Sequence, residues 1–138
     1  GVDQLAHWAA ARAQCPTVAI LPSGLNCPYP ANILTLKKYR KACLVSEYEA
    51  GVSMRKHHFH RRNLLIAAFC HSLLIVQSAE RSGTMISAQH AINLHKSLFV
   101  LPGHPLDRNM EGNNQLLFDG ASMVRNKGDL MAAFGLAL

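Results

Sequence analysis

Residues 73–84 read Leu-Leu-Ile-Val-Gln-Ser-Ala-Glu-Arg-Ser-Gly-Thr. The unbroken apolar run at 73–76, ended by Gln77, is the pattern of a strand covered on both faces, as strands of parallel sheets are. The polar turn Glu80-Arg81-Ser82-Gly83-Thr84 then opens a segment, residues 84–94, with Met85, Ala88, Ala91 and Ile92 at helical core spacing. Strand, tight turn and helix make half of a βαβ unit. Outward from it, apolar runs begin at Thr17, Ala42, Ser97 and Ala121, so that successive starts lie 25, 31, 24 and 24 residues apart. Helical patterning fills the gaps: a helix capped by Asp3 and running to about Ala13, a strongly basic segment at 32–41, a short apolar helix at 63–70, and further helices at 112–118 and 127–134. Regular alternation of this kind predicts an α/β fold, a doubly wound, mostly parallel sheet with helices on both faces.

The 138 residues suit a single domain spanning the chain and can bury a core without disulfide staples. A hydrophobic fraction of 49% and a charged fraction of 16% exclude a disordered chain. No apolar run reaches the length of a membrane span, and no basic-then-apolar leader pattern opens the sequence. The four cysteines, Cys15, Cys27, Cys43 and Cys70, contain no CxxC pair, so zinc and redox motifs are not indicated. Cys43 and Cys70 sit in apolar runs and read as buried hydrophobes, and a cytoplasmic location is the simplest. The chain opens directly at a helix, with no Met, no preceding strand and no GxGxxG turn. That reads as a domain whose first strands lie upstream.

The net charge is +6, and residues 37–62 hold eight basic side chains against Glu47 and Glu49. An excess so concentrated points to an anionic partner, nucleic acid first. Two stretches could supply the contacts. Around Ser82, Gly83 and Thr84, backbone N–H groups at a helix start form an anion site; the alternative is an ordinary capped helix in which a hydroxyl satisfies those donors. In residues 54–63, Arg55, Lys56, Arg61 and Arg62 surround Phe59 and precede Asn63. Cations interleaved with an aromatic suit single-stranded nucleic acid, phosphates taking the charges and a base stacking on the ring; the alternatives are a solvated loop and a core phenylalanine. His57, His58 and His60 lack Cys, Asp or Glu neighbours and do not have zinc-ligand spacing, and no cofactor motif occurs. Glu47 and Glu49, adjacent-but-one on a strand edge with Tyr48 between, do not form an acid/base pair, and neither GxSxG nor a P-loop is present.

The residues resemble the bacterial DNA-processing protein A (Smf) family. The elements run in order: Gly1-Val2-Asp3 with Ala6-His7; Leu21-Pro22-Ser23-Gly24-Leu25 with Tyr29-Pro30; Ser46-Glu47-Tyr48 with Gly51; Phe59 with Arg61-Arg62-Asn63 and Ile66-Ala67; Ala79-Glu80-Arg81-Ser82-Gly83-Thr84 with Ser87-Ala88; Val100-Leu101-Pro102-Gly103; and Gly112-Asn113-Asn114 with Leu116-Leu117 and Gly120-Ala121. The resemblance implies a Rossmann-like domain, here lacking its first strands, that binds single-stranded DNA and helps load the RecA recombinase during natural transformation. It implies a homodimer, no enzymatic activity and no cofactor. It places Lys56 and Phe59 in the DNA groove, and a further basic loop of the family would lie upstream of Gly1. Family surfaces for dimerisation and RecA lie toward the later helices, which makes the apolar tail at 130–138 a candidate, with core packing as the alternative. His60, Leu64 and Gln77 depart from residues common in the family, Leu64 removing one possible phosphate contact.

The expected function is thus sequence-independent binding of single-stranded DNA. The alternative is a nucleotide-handling phosphoribohydrolase-like enzyme. That class carries PGGxGTxxE at the equivalent turn, whereas here the glycine pair is missing and Ser87 stands in place of the catalytic Glu.

Overall fold

The computed structural model describes residues 1–135. Its elements alternate as the apolar rhythm predicts: α1 (Val2–Arg12), β1 (Thr17–Ile20), a 3-10 helix (Ala31–Lys38), β2 (Ala42–Val45), α2 (His58–Phe69), β3 (Ser72–Ile75), α3 (Gly83–Asn93), β4 (Ser97–Val100), a short 3-10 turn (Arg108–Met110), α4 (Glu111–Phe118), β5 (Ser122–Met123) and α5 (Lys127–Ala133). Every strand pairing is parallel. The pairs fall into two sheets, β1-β2 and β3-β4-β5, in two compact units, Gly1–Arg62 and Asn63–Leu138. Helix α2 begins in the first unit and its later turns belong to the second.

In the first unit, Ala11, Ala19, Leu21, Ile33 and Leu36 form the core, with Trp8, Tyr39, Ala42 and Leu44 packed against them. Residues 31–38 wind as a 3-10 helix where an α-helix over 32–41 was expected, and the apolar spacing explains it. Ile33, Leu36 and Tyr39 lie three apart, and three residues per turn stack all of them on one face. Trp8 and His7 act as packing residues: the indole N–H donates to Thr35 Oγ1 at 3.1 Å, and His7 Nδ1 lies 2.7 Å from Thr17 Oγ1. The N-cap of α1 is Gly1, not Asp3, which sits in the first turn and favours the helix through its charge.

Sequence patterning misread one face of this unit. Val18 is 57% exposed and its register partner Cys43 is also exposed, so β1 and β2 are not covered on both faces. Their neighbours Ala19 and Leu44 point the other way, into the core. An apolar residue in a short strand therefore did not imply burial, and Cys70 is likewise only half-buried.

In the second unit, Ile75, Ala88, Val100 and Leu116 form the core, with Leu73, Met85, Leu98, Leu117 and Ala121 around them. Ile92, expected inside, is 48% exposed, since Ala88 and Ala91 already fill the face of α3 that meets the strands. The Gly112-Asn113-Asn114 motif pins the start of α4. Asn113 Nδ2 donates to the carbonyls of Val76 and Leu101 at 3.1 and 2.8 Å, and the Gly112 N–H donates to the Ser78 carbonyl at 2.9 Å. A Cβ at Gly112 would come within 2.8 Å of the Ser78 and Ala79 carbonyl oxygens, so this approach requires glycine. Of the apolar tail, Leu130 and Met131 are half-buried and Phe134 is exposed; residues 136–138 lie outside the described residues.

Candidate nucleic-acid interface

The basic stretch is not a loop leading to a helix at Asn63. Helix α2 starts at His58, five residues earlier than the sequence pattern placed it. Its first turns carry cations, which the positive end of a helix dipole disfavours, so contacts to other parts of the unit must hold them. His58 is buried, its Nδ1 lies 2.9 Å from the Pro22 carbonyl oxygen, and its ring stacks on Tyr48 at 4.1 Å between centroids. The loop that receives it is itself braced. Ser23 Oγ accepts the Tyr29 N–H at 3.1 Å, and the Ser46 hydroxyl donates to the Ser23 carbonyl at 2.8 Å. Of the three histidines His57, His58 and His60, His58 thus has a packing role.

These braces fix the aromatic pair. Phe59 is half-buried and meets Tyr29 edge to face, 6.0 Å between centroids, while the Arg62 guanidinium lies 5.3 Å over its ring. Tyr29 is 46% exposed and borders a cavity of about 410 Å³ with Gly1, Val2, Asp3, Gln4, Pro30 and Arg62. Sequence reading missed Tyr29 as a site residue, because its position beside Phe59 depends on the Ser23 bond and not on spacing.

The candidate cations separate into two groups. Arg55 and Lys56 are exposed and take part in no ion pair among the described residues. Arg61 is held by a bidentate pair to Glu47, both N···O distances 2.8 Å, which lowers the Glu47 carboxyl below its ordinary range, chiefly through the hydrogen bond. Arg62 lies 3.8 Å from Asp3 and is largely covered, and burial lowers its basicity. The first amides of α2 are already used: the N–H groups of His58, Phe59 and His60 donate to the carbonyls of Arg55, Lys56 and His57.

The turn at Ser82-Gly83-Thr84 is built differently. Ser82 is the N-cap of α3 with φ −133° and ψ 162°, yet its hydroxyl faces Ser78 Oγ at 2.8 Å and does not cap the helix. Ser82 therefore does not cap the first-turn amides, contrary to the capped-helix alternative in which its hydroxyl satisfies them. Asn63 is buried and its Nδ2 donates to the Gly83 carbonyl at 3.1 Å, so it positions the helix start. Space at Gly83 is open, the nearest atom to an added Cβ being Asn63 Nδ2 at 3.7 Å. Glu80 and Arg81 balance each other in charge here.

One family model, that of DNA recombination-mediator protein A, matches residues 1–135. The chain belongs to the DNA recombination-mediator protein A family. It is 32% identical over 136 residues to the DNA processing protein DprA of Streptococcus pneumoniae, covering 97% of this chain and 48% of that protein. It is 31% identical over 141 residues to Protein Smf of Escherichia coli, covering 99% of this chain and 38% of that one. The crystal structure of the S. pneumoniae protein superposes with a TM-score of 0.87 at 32% identity over 96% of this chain and 47% of that chain. DNA processing protein A from Helicobacter pylori, a structure described for its single-stranded DNA binding mode, gives 0.76 at 30% identity over 86% and 55%. The fold of this family member is accordingly Rossmann-like. The chain spans about half the length of the first of these relatives.

Proposed function

We propose that this chain binds single-stranded DNA without sequence preference, as the DNA-holding domain of a recombination mediator. The observation that carries the reading is that Arg55 and Lys56, exposed and in no ion pair among the described residues, lie within four residues of Phe59, whose ring meets that of Tyr29. Phosphates take the charges, releasing counterions, and a base unstacked from its neighbours lies against an aromatic ring. A duplex keeps its bases paired and gains only the first term, which makes the preference for single strands a consequence of Phe59 and Tyr29. Arg61 and Arg62 contribute when a phosphate displaces their carboxylate partners. The amides of Gly83 and Thr84, with the Ser82 hydroxyl, hold a phosphate oxygen by hydrogen bonds, and Asn63 keeps that turn in place.

The wider role follows the family. The strand is handed to the RecA recombinase in natural transformation, in a cytoplasmic homodimer that binds and positions and does not catalyse. The H. pylori relative and its single-stranded DNA binding mode support the first step. Among the described residues no helix is long and apolar enough to cross a membrane.

Fluorescence anisotropy of labelled oligo-dT against a matched duplex, at two salt concentrations, tests the reading. Tighter, salt-sensitive binding of the single strand is expected. Equal affinity for both forms, or none in a folded sample, contradicts it.

A further inference from the structure

Residues 4–46 contain no Asp or Glu, yet hold Arg12, Lys37, Lys38, Arg40 and Lys41. Four of those five cations surround Tyr39, and the function proposed above uses none of them. The 3-10 helix ends at Lys38. Tyr39, with φ −101° and ψ 124°, then turns the chain into the extended path that becomes β2 at Ala42. Beside this turn lies a cavity of about 550 Å³, lined by Ala11, Gln14, Lys38, Tyr39, Arg40 and Lys41.

The cavity lies at the beginning of the parallel strands of the first unit. Thr17 and Ala42 are register partners there, and the Thr17 N–H donates to the Lys41 carbonyl at 3.0 Å. Residues 55–62 follow the other end of β2, where the Leu21 N–H meets the Val45 carbonyl. Four residues of strand, about 13 Å, separate the two ends. The cavity is therefore a surface of its own.

Among the described residues, Lys38, Arg40 and Lys41 enter no ion pair. Three like charges around one concave surface repel one another, and an anion seated among them relieves that repulsion while its field is focused by the walls. Cations dominate the lining, with one half-buried ring, Tyr39, among them. The Tyr39 ring packs against the core, and the Lys38 ammonium lies 5.3 Å from its centroid. We propose that this cavity is a second phosphate-binding site, which reads charge and not bases and so takes single strands and duplexes alike. Its phosphate comes either from a nucleic-acid backbone or from a free phosphate group.

The test uses the chain carrying Lys56→Ala and Phe59→Ala, so that the first site is weakened. Into it go either Lys38→Ser, Arg40→Ser and Lys41→Ser, or a control of equal charge loss, Lys96→Ser, Arg108→Ser and Lys127→Ser. The probes are oligo-dT and duplex of roughly 16 nucleotides, and inorganic phosphate. Binding is followed across salt concentrations and by the backbone amide resonances of Gln14 and residues 38–41. The cavity substitutions are expected to weaken duplex binding at least tenfold at low salt and to lower the salt slope by up to about 2.7, from about 0.9 per phosphate, with a much smaller effect from the control. Shifts of those amides with inorganic phosphate as well as nucleic acid identify a general phosphate site; shifts with nucleic acid alone identify a backbone site. Equal effects of the two triple substitutions, with no amide shift from any probe, overturn the proposal. Failure of the first site reads differently: Lys56→Ala with Phe59→Ala leaves oligo-dT binding unchanged, while the cavity substitutions still remove it.

Discussion

Under the proposed function, two passages from strand to helix, one after β2 and one after β3, would meet an anion in opposite ways. After β2 the helix amides are consumed by the carbonyls of residues 55–57, so attraction rests on mobile charged side chains and on the rings of Phe59 and Tyr29. After β3 the cap hydroxyl is turned aside to Ser78, the local charges cancel, and what remains is a set of fixed backbone donors held by Asn63. Charged side chains act by counterion release and respond steeply to salt. Fixed amides act by direction and distance and respond little. On the proposed reading, the same secondary-structure junction would supply affinity in one place and orientation in the other, according to where its cap hydrogen bonds go.

The comparison breaks most visibly at Phe59. Phe59→Ala removes the stacking surface and is expected to weaken oligo-dT by about 1–3 kcal/mol, roughly five- to 150-fold, with the salt slope kept. Circular dichroism controls for the fold, and undiminished affinity in a folded variant would make Phe59 a packing residue. Lys56→Ala is expected to weaken every sequence alike and to lower the single-strand salt slope by about 0.7; a sequence-dependent loss would contradict a backbone role. A smaller effect of opposite sign tests the bidentate pair. Glu47→Gln releases Arg61, and affinity for oligo-dT is expected to rise only about two- to threefold, because an exposed ion pair is screened by solvent and holds the guanidinium weakly. Unchanged affinity and slope would mean Arg61 does not face the strand.

The smallest effect concerns pH. Burial, reinforced by Arg62 and opposed by Asp3, lowers the His7 imidazole below its ordinary 6.5. The folded state therefore binds fewer protons than the unfolded one. The stability linked to His7 is full above pH 6.5 and is lost as pH falls through the lowered value. Urea midpoints at about pH 7.5 and 5.5 are expected to differ less in His7→Gln than in the parent chain.

Strand positions were legible in the sequence to within one or two residues, because β-branched and leucine-rich runs bounded by turns have few other uses. The start of α2 was hidden, since Arg61 and Arg62 interrupt the apolar period and the anchor that replaces it, His58, is polar. The 3-10 winding was legible in principle from the threefold spacing of Ile33, Leu36 and Tyr39. Exposure of Val18 and Cys43 was not, because it depends on which face of the β1-β2 pair α1 covers. The basic aromatic stretch stood out by charge alone, whereas the engagement of Arg61 by Glu47 and the placement of Tyr29 by Ser23 needed coordinates.

The most direct test sets the two passages against each other through salt. Arg55→Ala with Lys56→Ala deletes the free cations. Gly83→Pro deletes one amide donor at the first helical position, where proline is tolerated and the extended Ser82 suits it. Affinity for oligo-dT is measured for both across a salt series. The account predicts a salt slope about 1.4 lower for the double variant, and for Gly83→Pro a severalfold weaker affinity with the slope unchanged. A slope change in Gly83→Pro, or none in the double variant, would contradict the division of labour between the two passages.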